Sequence, residues 1–444
     1  MSRLIPKYLG ALRRATNAQL LGWQLFNMIK YGCIILIAIA MARWVANKEL
    51  IKVYEEIVLV AATLSFFFVS GLGQTILPYY EKTKEEAESL FRMLFFHLLF
   101  WGGLTGLALI VYAQFKAPAF QTSYQIFALA FLLNTPTYAL ENYYLIHRKQ
   151  VPLLMWGLVT YVGQLPFLLI PLVLWDDLVL GLAGLSFVAG IKLIVTLRVL
   201  KLGRRITQFW SKSLTFLRYS YPVIFSMLIG GSFLYISSFI VEFYLSDRSF
   251  LNYRYGAREF PLFLIISNSF SLIYSGKIAS GHAENELELT LNQFKAKSKK
   301  VMHQLFPLAI VLTLSSHWLF QLFYGEYFDR SFLIFNFFVL LLLSRVLFPQ
   351  TILMGLGKTK YFSYASAIEL ITGVLLSLFW VEAYGLMGVA MAMICAFVIE
   401  KVVLIGVCYK EKILFFKYFP LSLYLGYTTL LLGAFVCSYL LFYQ

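Results

Sequence analysis

The chain has 444 residues, of which 60% are hydrophobic and 13% are charged, with a formal net charge of +15. Soluble domains are about 45–50% apolar and about 25% charged, so a soluble protein and a disordered one are both excluded, and the four cysteines are too few for a disulfide-rich scaffold. The basic residues lie in short turns between apolar runs rather than on one surface, which excludes a nucleic-acid-binding face and predicts a polytopic membrane protein.

Thirteen apolar runs are long enough to cross a bilayer, whose hydrocarbon core of about 30 Å takes about 20 helical residues. Because these runs are long and do not alternate, they favour helices over the strands of a membrane barrel. The first run is too long for a cleaved signal peptide, so we expect it to be retained. The expected spans are 20–44, 53–79, 90–113, 124–145, 152–174, 178–200, 216–243, 251–276, 301–323, 331–356, 361–381, 385–409 and 415–442.

The basic residues are distributed unequally between the two sets of turns. The set that includes the N-terminus holds 25 Lys and Arg residues, and the opposite set holds six. Since cytoplasmic turns carry the excess of Lys and Arg, we expect the N-terminus to lie in the cytoplasm and the chain to cross the bacterial inner (cytoplasmic) membrane many times.

A weak internal repeat divides the chain. The turn Gly181–Gly184 and the turn Gly385–Gly388 share a Gly-Leu-x-Gly pattern, each at the start of an even-numbered span. Two halves in the same orientation are a known transporter architecture. We expect an N-terminal lobe (1–200, spans one to six), a basic cytoplasmic linker (201–215), a C-terminal lobe (216–409, spans seven to twelve) and an additional span (410–444).

Span one carries a lysine within its apolar run. An ionisable residue in a membrane helix indicates a wet cavity or an ion pair. Gln24, Asn27 and Tyr31 follow one helix face near Lys30. This polar stripe makes Lys30, Gln24 and Asn27 candidate substrate-binding residues.

Span eight begins with two arginines one turn apart. On a continuous helix Arg254 and Arg258 point to the same side, where two guanidinium groups can bind a phosphate or diphosphate. Asn268 continues roughly the same side and joins the candidate set. The alternative is that Glu242 and Glu259 neutralise the two arginines.

Other charged residues within spans are less specific. Lys192 and Arg345 are further candidate substrate contacts, although an internal salt bridge between Arg345 and Glu369 is the favoured alternative for that arginine. Any of Glu141, Glu369 and Glu400 is a candidate site for a coupling ion or proton.

Several patterns that suggest chemistry are excluded. Gly357-Lys358-Thr359 lacks the earlier glycine and the preceding strand of a P-loop, and the five histidines have no metal-ligand spacing. Turns near Asp176 and Asp177 are too short to house a catalytic domain. We therefore expect no enzyme activity, no metal and no cofactor.

Six short strings resemble the polysaccharide transporter (O-antigen flippase-like) family of the multidrug/oligosaccharidyl-lipid/polysaccharide exporter superfamily. They occur in the expected order over about 400 residues, with Leu251 where the family usually has Gly, and with Ser237-Ser238 where it often has an Asp-basic pair. The strings are Ser70–Thr75, Leu217–Pro222, Leu251–Ala257, Leu322–Tyr327, Met354–Lys360 and Tyr384–Ala390.

The resemblance implies two six-helix lobes around a central cavity lined mainly by spans one, two, seven and eight. It also implies flipping of a polyprenyl-diphosphate-linked oligosaccharide by alternating access, for O-antigen, capsule or exopolysaccharide synthesis. The implied partners are the lipid-linked substrate, membrane lipids and a glycan polymerase with chain-length machinery, around a monomeric protein. Thirteen spans depart from the family's usual twelve or fourteen.

Two other functions are open at this point. An ion-coupled multidrug exporter of the same superfamily would favour acidic cavity residues, whereas the residues selected here are mostly basic. A membrane-embedded glycan polymerase or transferase would need a larger outer loop than any that the sequence contains.

Overall fold

The chain is helical in almost every part that can be described. The computed structural model describes residues 4–83, 87–147, 149–201 and 209–442. Within them, ten helices are long and apolar enough to cross a membrane, and the bent pair Ser331–Arg345 and Pro349–Gly355 can form an eleventh span. The prediction of an all-α polytopic membrane protein is confirmed.

The first of two compact units comprises Met1–Leu228. Aromatic and aliphatic side chains from its helices form a buried core that includes Phe26, Phe91 and Leu140. Its helices are α1 (Leu4–Trp44), α2 (Lys48–Thr83), α3 (Ala87–Lys116), α4 (Gln121–Asn134), α5 (Tyr138–Ile146), α6 (Gln150–Gly157), α7 (Gln164–Trp175), α8 (Leu178–Val199) and the first part of α9 (Phe209–Tyr244).

Two predicted spans of this unit are interrupted. A 3₁₀ turn, Thr135–Thr137, separates α4 from α5, and it contains Pro136, which has no N–H to continue the α-helical ladder. A π-helical turn, Leu158–Val162, separates α6 from α7. Both irregular turns contain buried polar side chains, which are Thr135 and Thr137 in the first and Thr160 and Tyr161 in the second.

The second unit comprises Ile229–Gln444, so the boundary between the units falls inside α9. Of the predicted linker, residues 202–208 lie outside the described part of the chain, and the residues from Phe209 onward are helical. After α9 the helices are α10 (Asp247–Gly256), α11 (Pro261–Ala283), α12 (Leu287–Tyr324), α13 (Ser331–Leu340), α14 (Leu342–Arg345), α15 (Pro349–Gly355), α16 (Lys360–Lys410), α17 (Phe415–Tyr418) and α18 (Leu421–Phe442).

The longest helix contains two predicted spans. α16 has 51 residues, which at about 1.5 Å per residue is more than twice the thickness of a bilayer core. Gly385 interrupts it with φ 56° and ψ −133°, a conformation that a side chain would strain. Spans eleven and twelve therefore meet at this glycine.

The expectation of one continuous span at 251–276 is wrong. α10 ends at Gly256 and α11 begins at Pro261. Phe260 is extended (φ −67°, ψ 120°), as expected for a residue that precedes proline. The break leaves Arg258 and Glu259 outside regular helix.

Candidate functional site

Three of the predicted site residues meet in the first unit. Lys30 on α1 lies 3.4 Å from Glu141 on α5, with the two side chains 24% and 4% exposed. Lys192 on α8 is only 2% exposed, and its Nζ donates to Oδ1 of Asn134 at 2.5 Å. The sequence selected each charge separately, and the structure places them together.

Tyr161 connects the two lysines to the carboxylate. Its hydroxyl donates to Glu141 Oε1 at 2.6 Å, and its ring centroid lies 5.3 Å from Lys30 Nζ and 5.0 Å from Lys192 Nζ. Tyr161 belongs to the π-helical turn between α6 and α7, a feature that is frequent at functional sites. Cation–π contacts of this kind stabilise ammonium groups away from water.

We name Lys30, Asn134, Glu141, Tyr161 and Lys192 the N-terminal polar cluster. With its ionisable acid and bases charged, the cluster has two ammonium groups and one carboxylate. An excess of positive charge in a membrane-spanning region suits an anionic ligand.

The sequence did not select Asn134 or Tyr161, because uncharged polar residues are common in membrane helices. Their one usable signal was position, since each lies at an interrupted span.

The other predicted residues of span one are Asn27 and Gln24. Asn27 is half-buried and donates to the carbonyl of Trp23 in its own helix at 2.9 Å. Gln24 is half-buried on the same helix. Their roles as substrate contacts stay predictions.

The break between α10 and α11 changes the arrangement of the predicted arginine pair. Arg258 turns back, so that its Nε donates to the carbonyl of Arg254 at 3.1 Å and its guanidinium lies 5.0 Å from the centroid of the Tyr255 ring. The two arginines are therefore adjacent without being stacked on one continuous helix. Asn268 is exposed on α11.

A second break lies in span ten. α14 ends at Arg345, and Phe348, with φ 53° and ψ 28°, precedes Pro349 at the start of α15. Arg345 donates to Glu259 Oε1 at 2.5 Å, whereas the sequence favoured Glu369 as its salt-bridge partner. The break between α10 and α11 is the physical reason, because it frees Glu259 to reach the arginine.

Gln350 and Lys401 both bind Glu400. Gln350 donates at 2.7 Å and Lys401 at 2.5 Å. Glu369 is also buried and interacts electrostatically with Glu400, Lys401 and Arg345.

These second-unit residues form the C-terminal polar cluster, which has three carboxylates and two cations when all are charged. This excess of negative charge is opposite to that of the N-terminal polar cluster. Its members are Glu259, Arg345, Gln350, Glu369, Glu400 and Lys401. Among the described residues, no group of three His, Cys, Asp or Glu side chains is placed to hold a metal ion.

Residues 23–275 match the family model for polysaccharide biosynthesis protein, which is more than half of the chain. The chain belongs to this family. A search of the curated proteins found no match.

Solved structures of a flippase and of two transporters have a fold similar to that of this chain. Lipid II flippase MurJ, in an inward closed conformation, has a TM-score of 0.63 at 16% identity, over 94% of this chain and 97% of that chain. An outward-facing multidrug resistance MATE family transporter of the MOP superfamily has a TM-score of 0.55 at 12% identity, over 88% and 95%.

The eukaryotic MATE transporter AtDTX14 has a TM-score of 0.55 at 11% identity, over 96% and 99%. At these identities the likeness concerns the fold. Together with the family match it confirms the resemblance to the exporter superfamily that the sequence indicated.

Proposed function

We propose that this protein flips a polyprenyl-diphosphate-linked oligosaccharide from the inner to the outer leaflet of the bacterial cytoplasmic membrane by alternating access. The exported glycan supplies a surface polysaccharide of the O-antigen, capsule or exopolysaccharide kind. Family membership and a fold similar to that of a lipid II flippase support the proposal. The observation that carries it is the partly exposed Lys30 in the cation-rich N-terminal polar cluster.

The physical argument concerns the diphosphate. Its negative charge must pass a region in which an ionised side chain costs about 2.5–3.5 kcal/mol on insertion scales. Lys30 provides a counter-ion at the partly exposed edge of its cluster. In the second unit, Arg254 near the end of α10 and Arg258 in the break before α11 are separate candidates for anion binding, since broken helices are where many transporters bind their substrates.

The C-terminal polar cluster suits the second requirement of an active transporter, which is coupling to an ion. Glu369 and Glu400 are buried carboxylates in a group with excess negative charge. A proton or a small cation would neutralise that excess. We therefore assign coupling to this cluster and anion binding to the N-terminal one.

The proposal is tested in a strain that lacks the gene. We expect the strain to accumulate lipid-linked glycan and to lose surface glycan, and the wild-type chain to reverse both effects. Lys30→Met, at equal membrane abundance, should restore neither. Lys201→Met is the matched control, because Lys201 forms an exposed pair with Glu88 at the same 3.4 Å distance.

Mass spectrometry of extracted lipids and surface-glycan staining give the two readouts. Full complementation by Lys30→Met would rule out Lys30 as part of the substrate-binding site. A deletion strain with normal surface glycan and no accumulated lipid-linked glycan would rule out the proposed function.

An ion-coupled multidrug exporter is the second candidate, and the acidic C-terminal polar cluster together with the MATE-like fold favours it. It predicts a deletion strain with unchanged surface glycan and increased sensitivity to cationic drugs. The same strain therefore separates the two candidates.

A further inference from the structure

The two lysines of the N-terminal polar cluster differ in exposure and in hydrogen-bond partner. Lys30 is 24% exposed and pairs with Glu141. Lys192 is almost fully buried, and its hydrogen bond goes to the neutral amide oxygen of Asn134. A buried ammonium group bonded to an amide rather than to a carboxylate is a costly arrangement, so its presence calls for an explanation.

Tyr161 contacts Glu141 and both lysines of the cluster. The phenol donates to the carboxylate, and both ammonium groups lie within 5.3 Å of its ring centroid. Lys192 interacts electrostatically with Glu141 and with Lys30. Glu141 therefore forms its ion pair with Lys30, and Lys192 is a second cation near the same carboxylate.

The energetics of releasing Lys30 depend on that second cation. If Lys30 were the only cation near Glu141, its movement to a ligand would strand a buried carboxylate, which is strongly unfavourable. With Lys192 present, Glu141 keeps a cationic partner after Lys30 leaves. Lys30 can then exchange Glu141 for another anion at low cost.

We propose that Lys192 is a positioning residue that takes over Glu141 when Lys30 moves to the diphosphate of the lipid-linked substrate. This inference rests on the proposed function and names the counter-ion exchange that accompanies binding. Lys192 is too buried to contact the ligand and acts through Lys30. While no ligand is bound, Lys192 donates its hydrogen bond to Asn134 instead of to Glu141.

The test measures binding of farnesyl diphosphate to the purified full-length protein in detergent by isothermal titration calorimetry. Lys192→Met ties Lys30 to Glu141, so the Kd should rise about tenfold. Glu141→Gln combined with Lys192→Met removes the stranded carboxylate and should return the Kd to within about threefold of the wild-type value. Lys201→Met is the unchanged control.

A variant that keeps every charge should change the Kd in the opposite direction. Asn134→Ala removes the acceptor that holds Lys192, so Lys192 moves to Glu141 and frees Lys30. The Kd should fall several-fold, although the net charge of the cluster is unchanged. This variant also carries the test if Lys192→Met fails to give a monodisperse peak in size-exclusion chromatography.

Lys192→Met in a Lys30→Met background tests whether Lys192 contacts the ligand directly or acts through Lys30. In that background Lys192→Met should cause no further loss, because Lys192 acts only through Lys30. A further loss there, or unchanged binding in both Lys192→Met and Asn134→Ala while the wild-type chain binds, overturns the inference alone. Absence of binding by the wild-type chain overturns the proposed function as well.

Discussion

Arg345 donates to Glu259 at 2.5 Å, and each of the two residues lies where a predicted membrane span is broken. The ion pair thus joins the non-helical segment between α10 and α11 to the one between α14 and α15. Backbone groups are left without helical partners at such breaks, so a strong side-chain contact between them has a structural value that an ordinary surface pair lacks.

Glu259→Gln should lower the thermal unfolding temperature, because it removes the carboxylate to which the guanidinium of Arg345 donates. Breaking a fully buried pair costs about 3–5 kcal/mol, and the cost here should be lower because the Arg345 side chain is 23% exposed. The double variant Glu259→Gln with Arg345→Met should recover part of the loss. Intrinsic fluorescence during heating in detergent measures both effects.

The matched control is Asp329→Asn. It breaks the exposed pair between Arg248 and Asp329 at 3.1 Å, and exposed pairs contribute little. An unfolding temperature as low for Asp329→Asn as for Glu259→Gln would mean that the break-joining pair has no special role.

Gly71→Ala should destabilise the packing of α2 against α9. A Cβ at this position would lie 2.7 Å from Ile224 Cγ1 and 2.9 Å from its Cα, and overpacking of this kind costs about 1–3 kcal/mol. Gly73→Ala, two residues further on, meets nothing within 4 Å and should leave stability nearly unchanged. Equal membrane abundance and equal unfolding temperatures for the two variants would contradict the close approach.

The helical architecture follows from the sequence because lipid offers no hydrogen bonds to the backbone, so long apolar runs have to form helices. The sequence also contains a signal for the break at Ala257–Phe260, since Pro261 restricts the backbone of the residue before it. The apolar run on both sides outweighed that signal, and the span was predicted to be continuous.

The candidate sites were predictable one residue at a time. Lys30, Glu141 and Lys192 were each unusual within apolar runs, but position along a helix gives depth and leaves rotation and neighbours undetermined. The same limit explains Arg345, for which Glu369 matched in depth while Glu259 was the residue within reach. Tertiary packing decides such partners.

The orientation predicted from the 25 and six basic residues can be tested with two matched alanines. Ala46 and Ala296 are both exposed, and the charge distribution predicts that they lie on the outer and the cytoplasmic side. In a background without native cysteines, a membrane-impermeant maleimide should label Ala46→Cys in intact spheroplasts and Ala296→Cys only after lysis. The reverse order of labelling would place the N-terminus outside.

Coupling through the C-terminal polar cluster should be separable from substrate binding. Glu369 and Glu400 are 3% and 5% exposed, and their cluster has more carboxylates than cations, so neutralising one of them replaces the proton or cation that we assign to the site. In proteoliposomes supplied with lipid-linked glycan extracted from the deletion strain, wild-type flipping should accelerate under an imposed proton or sodium gradient. Glu369→Gln should lose that acceleration and still bind farnesyl diphosphate.

Glu382→Gln is the control for coupling, because Glu382 lies on the same helix, α16, with an exposed side chain. It should respond to the gradient as the wild-type chain does. Lys30→Met should show the converse of Glu369→Gln, with binding weakened whatever the gradient, since its defect lies in the N-terminal polar cluster. If Glu369→Gln and Glu400→Gln both keep a wild-type gradient response, the coupling ion binds elsewhere and the buried carboxylates serve only to hold Arg345 and Lys401 in place.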